Sequence, residues 1–90
     1  MRKLIRADGA EHDLPARLSM PQIRALIRCH ALDIVHLPLM GAPLHVMLAD
    51  GADDKPVNAA ATDLYREHCD PGSTHLIYGD AVIVPDSDFA

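Results

Sequence analysis

Histidine and cysteine are the residues of this 90-residue chain with the widest chemical range. There are six of the first (His12, His30, His36, His45, His68, His75) and two of the second (Cys29, Cys69). Cys29-His30 and His68-Cys69 are adjacent pairs near the ends of two predicted helices. If those ends met, four soft ligands could converge on zinc. Neighbours on a helix, however, point about 100° apart, and the chain has no C-x-x-C or H-x-x-x-H spacing. A histidine near a helix C-terminus also has a plainer role, since its cationic form complements the helix dipole. The same placement argues against a cysteine nucleophile, because the dipole lowers a thiol pKa at the opposite end of a helix.

Other chemistries find still less support. Ser19, Ser73 and Ser87 lie outside any G-x-S-x-G elbow. No glycine cradle for phosphate is present. Asp50, Asp53 and Asp54 lack the carboxylate spacing of a calcium loop. The sequence therefore assigns no catalytic residue, metal ligand or cofactor, and it reads as a non-enzymatic chain.

Composition narrows the partners. The apolar fraction is 49%, and the only aromatic residues are Tyr65, Tyr78 and Phe89. The core must be aliphatic, and no platform of aromatics exists for stacking bases, which disfavours nucleic acid. The formal charge is −5. Residues 1–30 carry Arg2, Lys3, Arg6, Arg17, Arg24 and Arg28, whereas most of the acids fall in residues 50–90. This asymmetry fits either a bipolar surface or two ordinary solvated faces. No apolar run of signal-peptide length follows Met1-Arg2-Lys3, and none approaches the roughly 20 residues needed to cross a bilayer. The expectation is a cytoplasmic protein with reduced thiols and no membrane partner.

The elements that would position these residues read in the order ββαββαββ. Residues 4–7 and 11–14 form two strands around Asp8-Gly9, a type I′ turn pair. Ser19 and Gln22 form a capping box for a helix over 20–31, in which Ile23, Leu26, Ile27 and His30 make one stripe. Strands at 34–37 and 44–48 flank a loop at 38–43, with Leu44, Val46 and Leu48 on one face. A second helix spans 59–69 and stops at the Asp70-Pro71-Gly72-Ser73 segment. His75–Tyr78 and Ala81–Val84 form a final hairpin across Gly79-Asp80. The acidic residues 86–90 should fray. The expected fold is a single α+β domain, residues 1–90, in two layers: a mostly antiparallel sheet covered on one face by two helices.

Pro56-Val57-Asn58-Ala59-Ala60-Ala61-Thr62 opens the second helix. Asn58 suits the N-cap, with its side chain accepting from Ala60 or Ala61. Thr62 is less well explained, as alanine would be a better helix former there. The P-x-N-x-x-A-T pattern, the strand 44–48, Asp50-Gly51 and the final Gly79-Asp80-Ala81-Val82-Ile83-Val84 together resemble a family of small uncharacterised proteins of phages, plasmids and other mobile elements. The match covers about residues 32–85. The resemblance implies an accessory protein of the host cytoplasm that binds and inhibits or modulates a host protein, including a defence component. The candidate ligand- or partner-binding residues are Asn58, Thr62, Tyr65, Tyr78 and Asp80. A homo-oligomeric small-ligand binder, such as a sponge for a nucleotide signal with the Asn58 helix start at its pocket, is the alternative. It draws on the affinity of helix N-termini for anions.

Overall fold

The computed structural model describes residues 2–29, 31–37, 44–52, 54–68 and 74–89. The expected loop at 38–43, the helix stop at 70–73, and His30, Asp53 and Cys69 lie outside the described residues. The chain is α+β, with a five-stranded antiparallel sheet and two α-helices among the described residues. The strands are β1 (Lys3–Ile5), β2 (Glu11–Asp13), β3 (Leu32–Leu37), β4 (His45–Asp50) and β5 (Tyr78–Pro85), in the order β2-β1-β5-β4-β3. The helices are α1 (Met20–Ile27) and α2 (Ala59–His68).

The local signals account for much of this. Gly9, with φ of 94°, closes the β1–β2 hairpin, and the Asp8 carboxylate accepts the Ala10 N–H at 2.9 Å. At the start of α1 the Ser19 hydroxyl accepts the Gln22 N–H, and the Gln22 side chain accepts the Ser19 N–H. The helix ends earlier than periodicity suggests, because Arg28 turns left-handed at φ 53°.

Three expectations are corrected. First, the helices do not share one face. α1 packs Ile23 and Ile27 against Leu4, Val46, Leu48, Val82 and Val84. α2 packs Ala61, with Ala60, Leu64 and Tyr65, against Ile5, Met47, Ala49, Ala81 and Ile83. Side chains alternate across a strand, so these two sets lie on opposite faces and the sheet is the middle of three layers. The continuous burial of β4 follows from this.

Second, Gly79-Asp80 is not a hairpin turn, and residues 75–77 form no strand. Both residues lie within β5, the central strand, which pairs with β1 on one side and β4 on the other. Leu48 pairs with Val82 and Asp50 with Tyr78, so Ala49 stands against Gly79, Asp80 and Ala81. Gly79, at φ 70°, supplies the left-handed residue of this bulge.

Third, residues 86–89 form a 3₁₀-helix instead of a frayed tail. Its Asp88 is buried, and Phe89 packs beside the α1 cluster.

Candidate functional site

Asn58 is fully buried, and each polar atom of its side chain is bonded inside the fold. Its Nδ2 donates to the carbonyl oxygens of Ile5 (3.0 Å) and Gly79 (2.9 Å), while Oδ1 accepts the Ala61 N–H at 3.0 Å. The Asn58 backbone N–H donates to the Ile77 carbonyl at 2.7 Å. One side chain thus caps α2 and ties it to β1 and to the bulge of β5. Thr62, one turn along and 3% exposed, accepts the Ile77 N–H on Oγ1 at 3.0 Å. The polar residue that helix propensity left unexplained satisfies a buried backbone donor of the chain entering β5.

The remaining candidates are spread over two places. The Asp80 carboxylate accepts from Arg6 Nη1 at 2.8 Å and from the Ala7 N–H at 3.0 Å, locking the bulge to the end of β1. Tyr65 stands edge-on to His75, with ring centroids 5.3 Å apart, and His75 Nε2 lies 3.8 Å from an Asp33 carboxylate oxygen. Tyr78 joins Asp33, Asp50, Thr74 and His75 in lining a cleft of about 270 Å³ at the end of β4 and β5. Asn58 and Thr62 do not line it. No group of three or more His, Cys, Asp or Glu side chains able to hold a metal ion occurs among the described residues.

Sequence reasoning missed the central ion pair. Lys55 Nζ lies 2.9 Å from Asp50 Oδ2 and also donates to the carbonyls of Ile27 and Arg28, at the open end of α1. The Asp50 side chain is 1% exposed and accepts as well from the N–H groups of Ala31 and Ala52. The Lys55 stem passes over Gly79, where a Cβ would come within 2.7 Å of it. A single lysine therefore joins α1, β4 and the bulge.

A second clasp closes the termini. Arg2 Nε and Nη2 donate to the two Asp88 carboxylate oxygens, each at 2.8 Å. The guanidinium holds the Asp88 carboxyl below its usual range against the opposing effect of burial, and the carboxylate in turn raises Arg2. With Asp50, Asp80 and Asp88 all paired to cations, three of the nine acids in residues 50–90 are spent within the fold. Arg17, Arg24 and Arg28 stay exposed on and beside α1, and Asp63 and Glu67 stay exposed on α2 across the sheet.

The two edges of the sheet differ sharply. β2 is short, fully exposed and reads Glu-His-Asp, the kind of charged edge that resists further pairing. β3 reads Leu-Asp-Ile-Val-His-Leu and is twice as long. Gly51 N–H donates to the Ala31 carbonyl at 2.7 Å, which marks a hydrogen-bonded position of the β3–β4 ladder. Such positions recur every second residue in antiparallel pairing, so Asp33, Val35 and Leu37 direct their peptide groups toward β4. Those of Leu32, Ile34 and His36 point outward, and no strand among the described residues meets them. Ile34 is also 43% exposed, on the sheet face where α1 covers β1, β5 and β4 but stops short of it.

No helix of the described residues is long and apolar enough to cross a membrane. Comparisons with protein-family models, with curated proteins and with solved structures returned no match.

Proposed function

We propose that this chain is a non-enzymatic interaction module that captures an extended segment of a host protein on the outer edge of β3. The carrying observation is that edge: the outward peptide groups of Leu32, Ile34 and His36, with Ile34 exposed beside them. Strand addition draws affinity from main-chain hydrogen bonds and selectivity from the side chains between them. The opposite edge, short and charged, offers no such template.

Several observations weigh for an edge over the other surfaces. Asn58 and Thr62, the pair most suggestive of a ligand site, are consumed in holding α2 to the sheet. At the α2 start the Ala61 N–H is already taken by Asn58, which weakens a nucleotide sponge opening there, and the cleft beside Tyr78 is lined by two acids, Asp33 and the lysine-paired Asp50. An acidic docking surface is weakened by the pairing of Asp50, Asp80 and Asp88. The resemblance of residues 56–62 and 79–84 to small mobile-element proteins suggests the setting, a bacterial host whose machinery or defence the module modulates.

The test compares the wild type with Ile34→Pro in a pull-down from host lysate. The Ile34 N–H points away from β4, so proline removes a docking donor without breaking the internal ladder. Retention of a stoichiometric protein by the wild type and its loss with Ile34→Pro supports the reading. Equal retention by both, or by neither, contradicts it.

A further inference from the structure

We infer that, without its partner, the β3 edge is closed by a second copy of this chain, so that self-association and partner capture compete for the same peptide groups. The inference rests on the reading of β3 as the docking edge, and it adds the occupant that regulates it.

The edge is complementary to itself. A two-fold axis normal to the sheet at Ile34 runs the two β3 strands antiparallel and places like faces of both sheets on the same side. Leu32 then faces His36 of the second copy, and Ile34 faces Ile34 of the second copy. All of these are outward-pointing positions, so each N–H meets a carbonyl in hydrogen-bonded register. The two Ile34 side chains, each exposed on the face that α1 leaves open, come side by side. The adjacent register, with the axis at Val35, is poorer, because within Leu32–Leu37 it opposes outward positions only as Ile34 with His36 and leaves Leu32 beyond the end of the second strand.

Charge permits the contact. Asp33 is the only acid in β3, and its carboxylate is accompanied by His75 at 3.8 Å. The residual repulsion is that of two chains with a formal charge of −5 each. Salt screens such repulsion, so dimerisation should strengthen as ionic strength rises. Of the devices that guard natural edges, Leu32–Leu37 holds no lysine, proline or bulge, and Asp33 is its one charged residue.

The experiment is sedimentation equilibrium on the purified chain from low to several hundred micromolar, with disulfide trapping alongside. The expected result is a shift from the 9.8 kDa monomer toward twice that mass. Ile34→Pro should weaken the dimer by roughly tenfold or more, through lost hydrogen bonds. With Cys29→Ser and Cys69→Ser as background, Ile34→Cys should oxidise to a covalent dimer, because opposed Cα atoms in a hydrogen-bonded pair lie about 5.5 Å apart. Val35→Cys should not. A monomer at every concentration, or trapping at Val35 in place of Ile34, overturns the inference. A monomer that still retains an Ile34-dependent host protein overturns self-pairing alone. A dimer that retains none overturns the capture reading alone.

Discussion

The carbonyl oxygen of Ile5 and the side-chain amide of Asn58 meet at 3.0 Å inside the protein, joining the first strand to the start of the second helix. The same amide reaches the Gly79 carbonyl, so Asn58 sits where β1, β5 and α2 converge. Removing it takes a donor from two buried carbonyls and the acceptor from one buried N–H. Asn58→Ala should cost about 2–4 kcal/mol, the desolvation of several such groups. Asn58→Asp should be no better, since it turns a lone-pair-bearing oxygen toward carbonyls. Urea unfolding midpoints at constant slope check both.

Thr62 allows a cleaner separation of shape from hydrogen bonding. Thr62→Val keeps the volume but leaves the Ile77 N–H buried without its acceptor. About 1–3 kcal/mol should be lost. Thr62→Ser, which keeps the oxygen, should lose less. A larger loss for Thr62→Ser than for Thr62→Val would show that the methyl group, not the hydroxyl, is what the site needs.

Lys55 holds three elements at once. Lys55→Met leaves the Asp50 carboxylate, 1% exposed, without its cation. Breaking a buried pair from one side costs about 3 kcal/mol or more. Gly79→Ala should also destabilise, for two reasons: its φ of 70° disfavours a side chain, and the added Cβ meets the Lys55 stem. Combining the two substitutions should cost less than the sum, because a methionine stem, no longer tethered by Asp50 and the α1 carbonyls, is free to swing off the added Cβ. A double-mutant cycle by chemical denaturation measures the coupling.

The Arg2–Asp88 clasp gives a pH dependence of fixed sign. The carboxyl is lowered below its ordinary value of 3.8 in the folded chain. Between the two values the unfolded chain binds more protons, so stability rises with pH there. The contribution is complete above about pH 5 and is lost as pH falls through the lowered folded value. Asp88→Asn should therefore be clearly less stable than wild type near neutrality, with the gap closing as pH falls below 3.8. Thermal unfolding across that range reads the difference.

The fold was legible where the causes are local. The capping box of Ser19 and Gln22, the Asp8-Gly9 turn and the Asn58 cap all depend on neighbours within a few residues. The sandwiching of the sheet was legible but underread. β4 alternates Val46 and Leu48 with Met47 and Ala49, and residues 81–84 are apolar throughout, which is the pattern of strands buried on both faces. Other features have distant causes. Asp88 looked like a solvated tail residue because its partner, Arg2, lies at the other end of the chain. Gly79-Asp80 serves a turn or a bulge equally well, and its use as a bulge is fixed by Asn58, Lys55 and Arg6, which bind around it. Nor does anything in Leu32–Leu37 announce an edge, since edge status belongs to strand order.

The proposed docking edge can be tested at the peptide groups themselves. Residue-resolved amide hydrogen exchange should be compared for the chain alone, held dilute, and for the chain saturated with the protein it retains from host lysate. Selective slowing at Leu32, Ile34 and His36 is the expected result, with Asp33 and Val35, already bonded to β4, changing little. Bound partner with unchanged exchange at those three amides would contradict the assignment of β3 as the surface this protein works through.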